Sequence, residues 1–309
     1  MTDGEPEFRA RLDAAAADTD ALLDELLSEH REHGELQRPA RLLEAMRYAA
    51  LGGGKRLRPF LVLETSALFG VPRGHALRAG AALECVHCYS LVHDDLPAMD
   101  NDDLRRGQPT THKAFDEATA ILAGDALLTF AFDVLARDEV HPNAAVRVAL
   151  IQALARAAGI GGMAGGQMLD LAAEGRFGPR RTPAAADIAT LQAMKTGALI
   201  EYACRAGAML GEAGTEAASA LARYGRAIGE AFQIADDLID LESDSVTAGK
   251  TTGKDAAAGK ATLVATLGRD AARARLSTLT DEAALALGAL PQDTSVLSAA
   301  ARFIAGRRK

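Results

Sequence analysis

Apolar residues recur at helical spacing through almost the whole chain of 309 residues. These stretches are rich in alanine, leucine, arginine and glutamate, which favour helices, and no stretch shows convincing strand alternation. Breakers containing glycine or proline separate them. The pattern predicts helices over residues 7–33, 40–51, 59–70, 75–96, 116–138, 143–173, 184–211, 215–242, 261–286 and 292–305.

Several of these segments are apolar around most of their circumference, as expected of helices surrounded by other helices. None of the breakers is long enough to be a domain linker, and no fixed-period repeat of the solenoid kind is present. The sequence therefore predicts an all-α fold, in which residues 1–309 form one single-domain bundle of about ten or more helices.

Composition and charge narrow the function classes. Apolar residues make up 49% of the chain and charged residues 25%, as in ordinary soluble globular proteins. The formal net charge of −8 disfavours nucleic acid and anionic membrane surfaces as partners. Three cysteines are too few for a disulfide framework, which favours a reducing compartment.

Neither the N-terminus nor the richest apolar segment predicts membrane insertion. The first residues lack the basic start and apolar stretch of a signal peptide. The richest apolar segment, residues 120–136, is interrupted by Asp125 and Asp133. We therefore expect a cytoplasmic protein without stable membrane insertion.

An aspartate-rich motif, DDLPAMD, follows a helix-like run. Asp94 and Asp95 close that run, and Pro97 biases the preceding residue out of helical conformation. Asp100 can then turn back towards the first two aspartates. The motif predicts a cluster of three carboxylates.

A second motif, DDLID, ends another helix-like run. Asp236 and Asp240 lie one helical turn apart, and Asp237 neighbours that face. Six carboxylates facing one cavity would repel one another unless cations intervene, and an all-oxygen donor set favours magnesium or manganese. Since magnesium usually shares its coordination between a few carboxylates and substrate phosphates, the expected ligand is a diphosphate.

Basic residues predict two anion-binding regions. In GGGKRLRP, residues 52–59, the glycines permit close backbone approach, and Lys55, Arg56 and Arg58 supply donors. The Walker spacing and its Ser or Thr are missing, so nucleotide hydrolysis is unsupported. The cations expected to bind the diphosphate at the aspartate motifs are Arg105, Lys195, Lys250 and Lys260.

The segment CVHC invites a zinc interpretation, with Cys85, His87 and Cys88 as ligands. A structural zinc site needs four ligands, and the chain contains no second CxxC pair. Buried helical thiols are therefore the favoured interpretation. The basic C-terminus, GRRK, is interpreted as a frayed tail in preference to a lid that carries Arg307 over a substrate.

In order, the motifs GGGKRLRP, ALECVHCYSLVHDDLPAMDNDDLRRGQPTTH, AILAGDALLT, GGQMLD, KTGALI, FQIADDLID and GKATL resemble those of the trans-isoprenyl diphosphate synthases, particularly the bacterial farnesyl diphosphate synthase branch. The resemblance covers nearly the whole chain. It implies a homodimeric, magnesium-dependent transferase of isoprenoid biosynthesis, with helices around a central cavity. Such a prenyltransferase condenses isopentenyl diphosphate with an allylic diphosphate, dimethylallyl or geranyl.

The resemblance also implies residue roles. The metal ligands, which would hold about three magnesium ions or manganese in their place, match Asp94, Asp95, Asp100, Asp236, Asp237 and Asp240. The allylic-diphosphate positions match Arg105, Lys195, Thr196, Gln233, Lys250 and Lys260. The isopentenyl-diphosphate positions match Lys55, Arg58, His87 and Arg106.

Three alternatives remain open at this stage. A geranylgeranyl diphosphate synthase would share every motif and differ in product length. A class I terpene cyclase would carry an Asn/Ser/Glu metal motif in its second half, where this chain has DDLID. A non-catalytic subunit of a heteromeric synthase can lose an aspartate motif, whereas both motifs are intact here.

Tyr89 and Ser90 predict the product length. Ser90 lies about one turn below Asp94, and related enzymes use the level of Tyr89 as the floor of the hydrophobic cavity. A phenol ring there would stop the chain at fifteen carbons, so the expected main product is farnesyl diphosphate. Tyr89→Ala should shift the products towards twenty carbons or more, as measured by mass analysis. Unchanged product lengths would show that another residue sets the limit.

Overall fold

The computed structural model describes residues 4–178, 184–246 and 263–307. Helices dominate these residues, so the expected all-α class is confirmed. The chain divides into two compact units, one formed by Met1–Phe8 with Gln152–Lys309 and the other by Arg9–Ile151. The single-domain organisation stays a prediction, and each unit is described by itself.

The Arg9–Ile151 unit is built around one buried helix. Its helices are α1 (Glu5–Leu26), α2 (Ala40–Leu51), α3 (Leu57–Ala67), α4 (Arg73–Asp94), α5 (Thr111–Ala114), α6 (Glu117–Ala136) and α7 (Ala144–Ala158), of which α1 begins and α7 ends in the other unit. Helix α4 packs against both α3 and α6. Its middle, from Ala79 to Val86, is buried at every position, because small residues there let neighbouring helices approach closely.

A short hairpin follows α4 in the same unit. Strands β1 (Leu104–Arg105) and β2 (Gln108–Pro109) pair antiparallel, so the expectation of no strand was wrong. The two turn residues, Arg106 and Gly107, have φ of 52° and 78°. Two successive positive φ angles are typical of the tight turns that match the twist of a hairpin.

The other unit is organised around its longest helix. Its helices are α8 (Met163–Ala173), α9 (Ala185–Gln192), α10 (Ala198–Leu210), α11 (Thr215–Val246), α12 (Leu263–Leu267), α13 (Arg269–Leu287) and α14 (Ser295–Ala305). Helix α11 packs against α10, α13 and α14. The buried Tyr224 of α11 donates a hydrogen bond to the Leu297 carbonyl of α14 (2.8 Å).

Helix 40–51 matches its prediction, and three longer predicted helices are interrupted. The glycine-rich residues 159–162 break the predicted helix 143–173 into α7 and α8. A π-helical turn, Ala193–Gly197, joins α9 to α10. Gly268, with φ of 84°, separates α12 from α13. In each case the apolar residues keep their helical spacing across the break, so their spacing alone could not show that the backbone changes there.

Two described stretches, Glu117–Ala136 and Ala144–Ala173, are long and apolar enough to cross a membrane. Length and composition alone are weak support for a span, because core helices of soluble proteins pass the same test.

Candidate active site

The first aspartate motif lies where α4 ends. Asp94 is the last helical residue, and the Asp95 N–H still donates to the carbonyls of His93 and Leu91. The chain then turns back, so that the Asp100 N–H donates to the Asp94 carbonyl (2.8 Å). The return expected from Pro97 is thus present in the backbone, and it places Asp100 beside Asp94.

Asp95 is held by the hairpin. Arg105 of β1 donates from Nε to both carboxylate oxygens (2.9 Å each) and from a terminal nitrogen to one of them (2.6 Å). Asp95 is buried, and burial raises the pKa of its carboxyl despite the opposing pull of Arg105. This geometry joins Asp95 and Arg105 as a rigid pair.

Cationic side chains surround His87, two turns before Asp94 on α4. Burial lowers the pKa of His87 well below its usual value, and the charges of Arg58 and Arg106 lower it further. Arg106 also donates a hydrogen bond to the Gly53 carbonyl in the GGGKRLRP loop. The unit therefore brings His87, Arg58 and Arg106 into one positively charged region, whose neutral imidazole can donate one hydrogen bond to an anion.

Arg56 points into the protein and pairs with its own carboxylates, which corrects its predicted role as a donor to a bound anion. Its side chain is 0% exposed and donates to Glu84, Asp20 and the Ala50 carbonyl. Lys55, its neighbour, is exposed. The loop thus places a buried guanidinium, Arg56, next to an exposed ammonium, Lys55, and the sequence pattern did not distinguish the two.

Amide side chains hold the second aspartate motif on α11. Asp237 is buried, and its two oxygens accept hydrogen bonds from Gln192 and Gln233 (2.9 Å each). The Gln233 oxygen in turn accepts from the Thr196 hydroxyl (3.0 Å). Burial raises the pKa of Asp237, and these amide donors oppose the rise. The network joins three residues that the family resemblance implied separately and adds Gln192, which no sequence pattern had singled out.

Asp236, beside it, pairs with the C-terminal segment. Arg307 approaches one Asp236 oxygen (3.0 Å), and its guanidinium lies 4.4 Å from the centre of the Phe232 ring. The Arg307 side chain is only 15% exposed. The preference for a frayed tail was therefore wrong at Arg307, because a charge pair and a cation–π contact hold it.

Lys195 lies within the π-helical turn. Its ammonium donates to Asp170 of α8 (2.6 Å). Gly166 of α8 packs directly against the Lys195 backbone, where an added Cβ would clash with the Lys195 nitrogen. A glycine is therefore required at 166 by the close approach of α8 and the turn. The GGQMLD motif carries this contact, although only the resemblance had singled it out.

Tyr89 packs against the residue that precedes the first aspartate. Its ring meets the His93 ring edge-on, with 5.8 Å between their centres. The His93 Nε2 lies 3.1 Å from the Ile121 carbonyl, and the ring occupies the space that a side chain at Gly124 would fill. Ser90 donates to the His87 carbonyl (2.8 Å). His93 was not selected from the sequence, although its place next to Asp94 was a signal.

Whether the first aspartate motif could hold a metal ion depends on the donor atoms that its side chains offer. Asp94 and Asp100 are half-buried, close along the backbone and offer only oxygen, the donor that magnesium prefers. Among the residues that the structure describes, no three His, Cys, Asp or Glu side chains form a complete metal site. The predicted cluster of three carboxylates is therefore not found among those residues. A magnesium ion held there would need phosphate oxygens and water to complete its coordination, as it usually does in proteins.

Three assignments lie outside what the structure describes: the side chain of Asp240, and the whole of Lys250 and Lys260. The CVHC segment is described. Cys85 and Cys88 are buried, and burial raises the pKa of the Cys88 thiol to about 12. These are the buried helical thiols that the sequence favoured.

Comparison with known proteins gives one consistent result. The family model for polyprenyl synthetase matches residues 39–286. The chain is 48% identical to the farnesyl diphosphate synthase of Escherichia coli over 273 residues, 87% of this chain and 90% of that protein. It is 40% identical to a chloroplastic geranylgeranyl pyrophosphate synthase of Catharanthus roseus over 278 residues, 88% of this chain and 75% of that protein.

A solved structure resembles the fold closely. The apo structure of an FPP/GFPP synthase from Zymomonas mobilis superposes with a TM-score of 0.84 at 46% identity, covering 97% of this chain and 99% of that one.

Gly166 gives a direct test of the π-turn geometry. Gly166→Ala should lower the free energy of unfolding by about 2 kcal/mol or more, because the new methyl group meets backbone that cannot rotate away. Urea denaturation measures the change.

Gly74→Ala is the matched control. It lies in the first turn of α4, and no atom lies within 4 Å of the point where its new Cβ would stand, so stability should stay within about 1 kcal/mol of the parent or rise. Equal effects of the two substitutions would contradict the close approach.

Proposed function

The chain belongs to the polyprenyl synthetase family, and on this premise we propose which residues perform its reaction, a condensation of isopentenyl diphosphate with an allylic diphosphate. It is a trans-prenyltransferase, and farnesyl diphosphate is the product that its relatives best support. The observation that carries the assignment of residues is the last two turns of α4, which hold His87, Tyr89 and Asp94 in succession.

We assign the metal ions to the aspartate motifs. Asp94, Asp95 and Asp100 form one ligand set, and Asp236, Asp237 and Asp240 form the other, with magnesium as the ion and about three ions in all. Bound magnesium supplies charge stabilisation to a diphosphate leaving group. Within each set the roles differ. Arg105 orients Asp95, and two amides orient Asp237, whereas Asp94 and Asp100 offer half-buried carboxylates.

We assign the allylic diphosphate to cations near the aspartate motifs. From the family pattern we assign Lys195 and Arg105 to stabilise the charge that develops on its oxygens as the allylic carbon–oxygen bond breaks. The hydrogen bond between Thr196 and Gln233 links the π-helical turn to the Asp237 carboxylate. We assign Lys250 and Lys260 to the same substrate from the family pattern.

Isopentenyl diphosphate binds at the cationic cluster of the Arg9–Ile151 unit. Lys55, Arg58 and Arg106 supply positive charge, and His87 donates a hydrogen bond. The alkene attacks the allylic cation, and the departing diphosphate takes the proton that leaves the carbon next to the new cationic centre. Exclusion of water by apolar side chains prevents capture of the cation as an alcohol.

Product length is assigned to Tyr89, with the small Ser90 beside it. The contact with His93 holds the Tyr89 ring below Asp94 and favours the shorter, fifteen-carbon product. The second candidate is the twenty-carbon product, which is favoured by the 40% identity to a geranylgeranyl pyrophosphate synthase. We propose a cytoplasmic location on the ground of family and composition.

The chain acts as a homodimer in this proposal, by analogy with the family. Light scattering at micromolar concentration should give twice the chain mass. A monomeric mass would count against the assembly and leave the assignment of the reaction untouched.

Removal of a carboxylate tests the metal assignment. Asp94→Ala and Asp236→Ala should each lower turnover by about two orders of magnitude or more, because charge developing on the diphosphate loses its compensation. Steady-state kinetics with magnesium measures the loss, and circular dichroism should show an unchanged helical fold.

Asp138→Ala is the control, since Asp138 is an exposed partner of Arg147 and its loss should leave turnover unchanged. Near-normal turnover of the parent protein in excess chelator, with both substrates present, would contradict the metal assignment.

A further inference from the structure

The backbone of the GGGKRLRP loop contains positive φ angles that surrounding contacts must stabilise. Gly53 and Gly54 have φ of 82° and 136°, and Arg56, a residue with a side chain, adopts the left-handed region at φ 46°. Such a conformation costs free energy in a non-glycine residue and persists only where the surroundings hold it. The anchor is the Arg56 side chain itself.

Arg56 joins three helices. Its guanidinium donates to Asp20 of α1 (2.8 Å), to Glu84 of α4 (2.8 Å) and to the Ala50 carbonyl near the end of α2 (2.5 Å). The Arg56 side chain is 0% exposed and that of Glu84 is 3% exposed. Only a planar fork with several donors can meet all three acceptors from one position.

Arg56 lies between two residues of the cationic cluster, Lys55 and Arg58. Lys55 precedes Arg56 and is exposed, and Arg58 follows it in the first turn of α3. Glu84 lies three residues before His87, on the same face of α4. The Arg56–Glu84 pair therefore fixes the loop that carries two cations against the helical turn that carries the imidazole.

We infer that Arg56 is a positioning residue for isopentenyl diphosphate, acting through Lys55 and Arg58 without touching the substrate. This inference rests on the proposed function, which places isopentenyl diphosphate at Lys55, Arg58, His87 and Arg106. The buried ion pair sets the affinity for that substrate and leaves the allylic diphosphate unaffected, because the allylic cations lie on other segments.

Arg56→Lys is the informative variant. It keeps the charge next to Glu84, so the buried carboxylate is not left uncompensated, but a single ammonium cannot span all three acceptors. The KM for isopentenyl diphosphate should rise about tenfold or more, comparable with the loss when a partner that orients a metal ligand is removed. The KM for geranyl diphosphate should stay unchanged, because the residues assigned to that substrate lie on other segments.

Glu84→Gln weakens the Arg56–Glu84 ion pair by changing the carboxylate partner. It keeps an oxygen acceptor and a similar shape, and it should reproduce the selective rise in KM. Arg73→Lys is the matched control: Arg73 also pairs with an aspartate of α1, Asp18, but it lies in the open, 50% exposed, and away from the loop. Its substitution should change neither KM.

Lys55→Ala tests the proposed binding site for isopentenyl diphosphate separately from the positioning role of Arg56. If it leaves the KM for isopentenyl diphosphate unchanged, the proposed binding site fails, and the inference about Arg56 fails with it. If Lys55→Ala raises that KM and Arg56→Lys does not, only the positioning role is overturned.

A double variant tests action through the loop. Because Arg56 is inferred to act through Lys55, the combined variant should lose less than the product of the two single losses. Strictly multiplicative losses, or a rise of both substrates' KM together with a lower melting temperature, would show a general structural role and overturn the inference.

Discussion

Asp94 and Asp95 occupy the C-terminal end of α4, where the aligned peptide dipoles disfavour negative charge. Positively charged side chains at this end of a helix would be more stabilising. The carboxylates persist because the following segment folds back and brings Arg105 onto Asp95 through three hydrogen bonds. The arrangement leaves negative charge concentrated at the end of this helix, where Asp94 and Asp100 remain half-buried.

The two aspartate motifs differ in the side chains that stabilise their closely spaced carboxylates. At the first motif a guanidinium neutralises one carboxylate. At the second, Asp237 is oriented by neutral amides, which fix its position without cancelling its charge. Asp236 is paired with Arg307 of the C-terminal segment. Each motif thus contains one carboxylate held rigidly by side-chain donors.

Sequence reasoning recovered what depends on periodicity and on motif chemistry. The all-α class and the bounds of helix 40–51 follow from apolar spacing. Pro97 indicated that the Asp94–Asp95 pair closes α4, although apolar spacing alone extended that helix to residue 96. The hairpin was missed because two-residue strands have too few positions to show alternation. The π-helical turn was missed because apolar periodicity continues through it.

The partners of the site residues were harder to predict than the residues themselves. Nothing in the local pattern distinguishes the inward Arg56 from the outward Lys55, because the direction depends on a left-handed backbone and on Glu84, 28 residues away. Gln192 and Arg307 likewise become informative only when folding places them against Asp237 and Asp236. Long-range contacts of this kind carry no signature in a single sequence.

Product analysis tests the central claim most directly. The purified chain alone should be incubated with magnesium, isopentenyl diphosphate and geranyl diphosphate, and the products analysed by mass after removal of the phosphates. We expect one dominant linear alcohol of fifteen carbons, and none when the metal is chelated. A cyclic hydrocarbon, or the absence of any condensation product from the chain alone, would contradict the assignment.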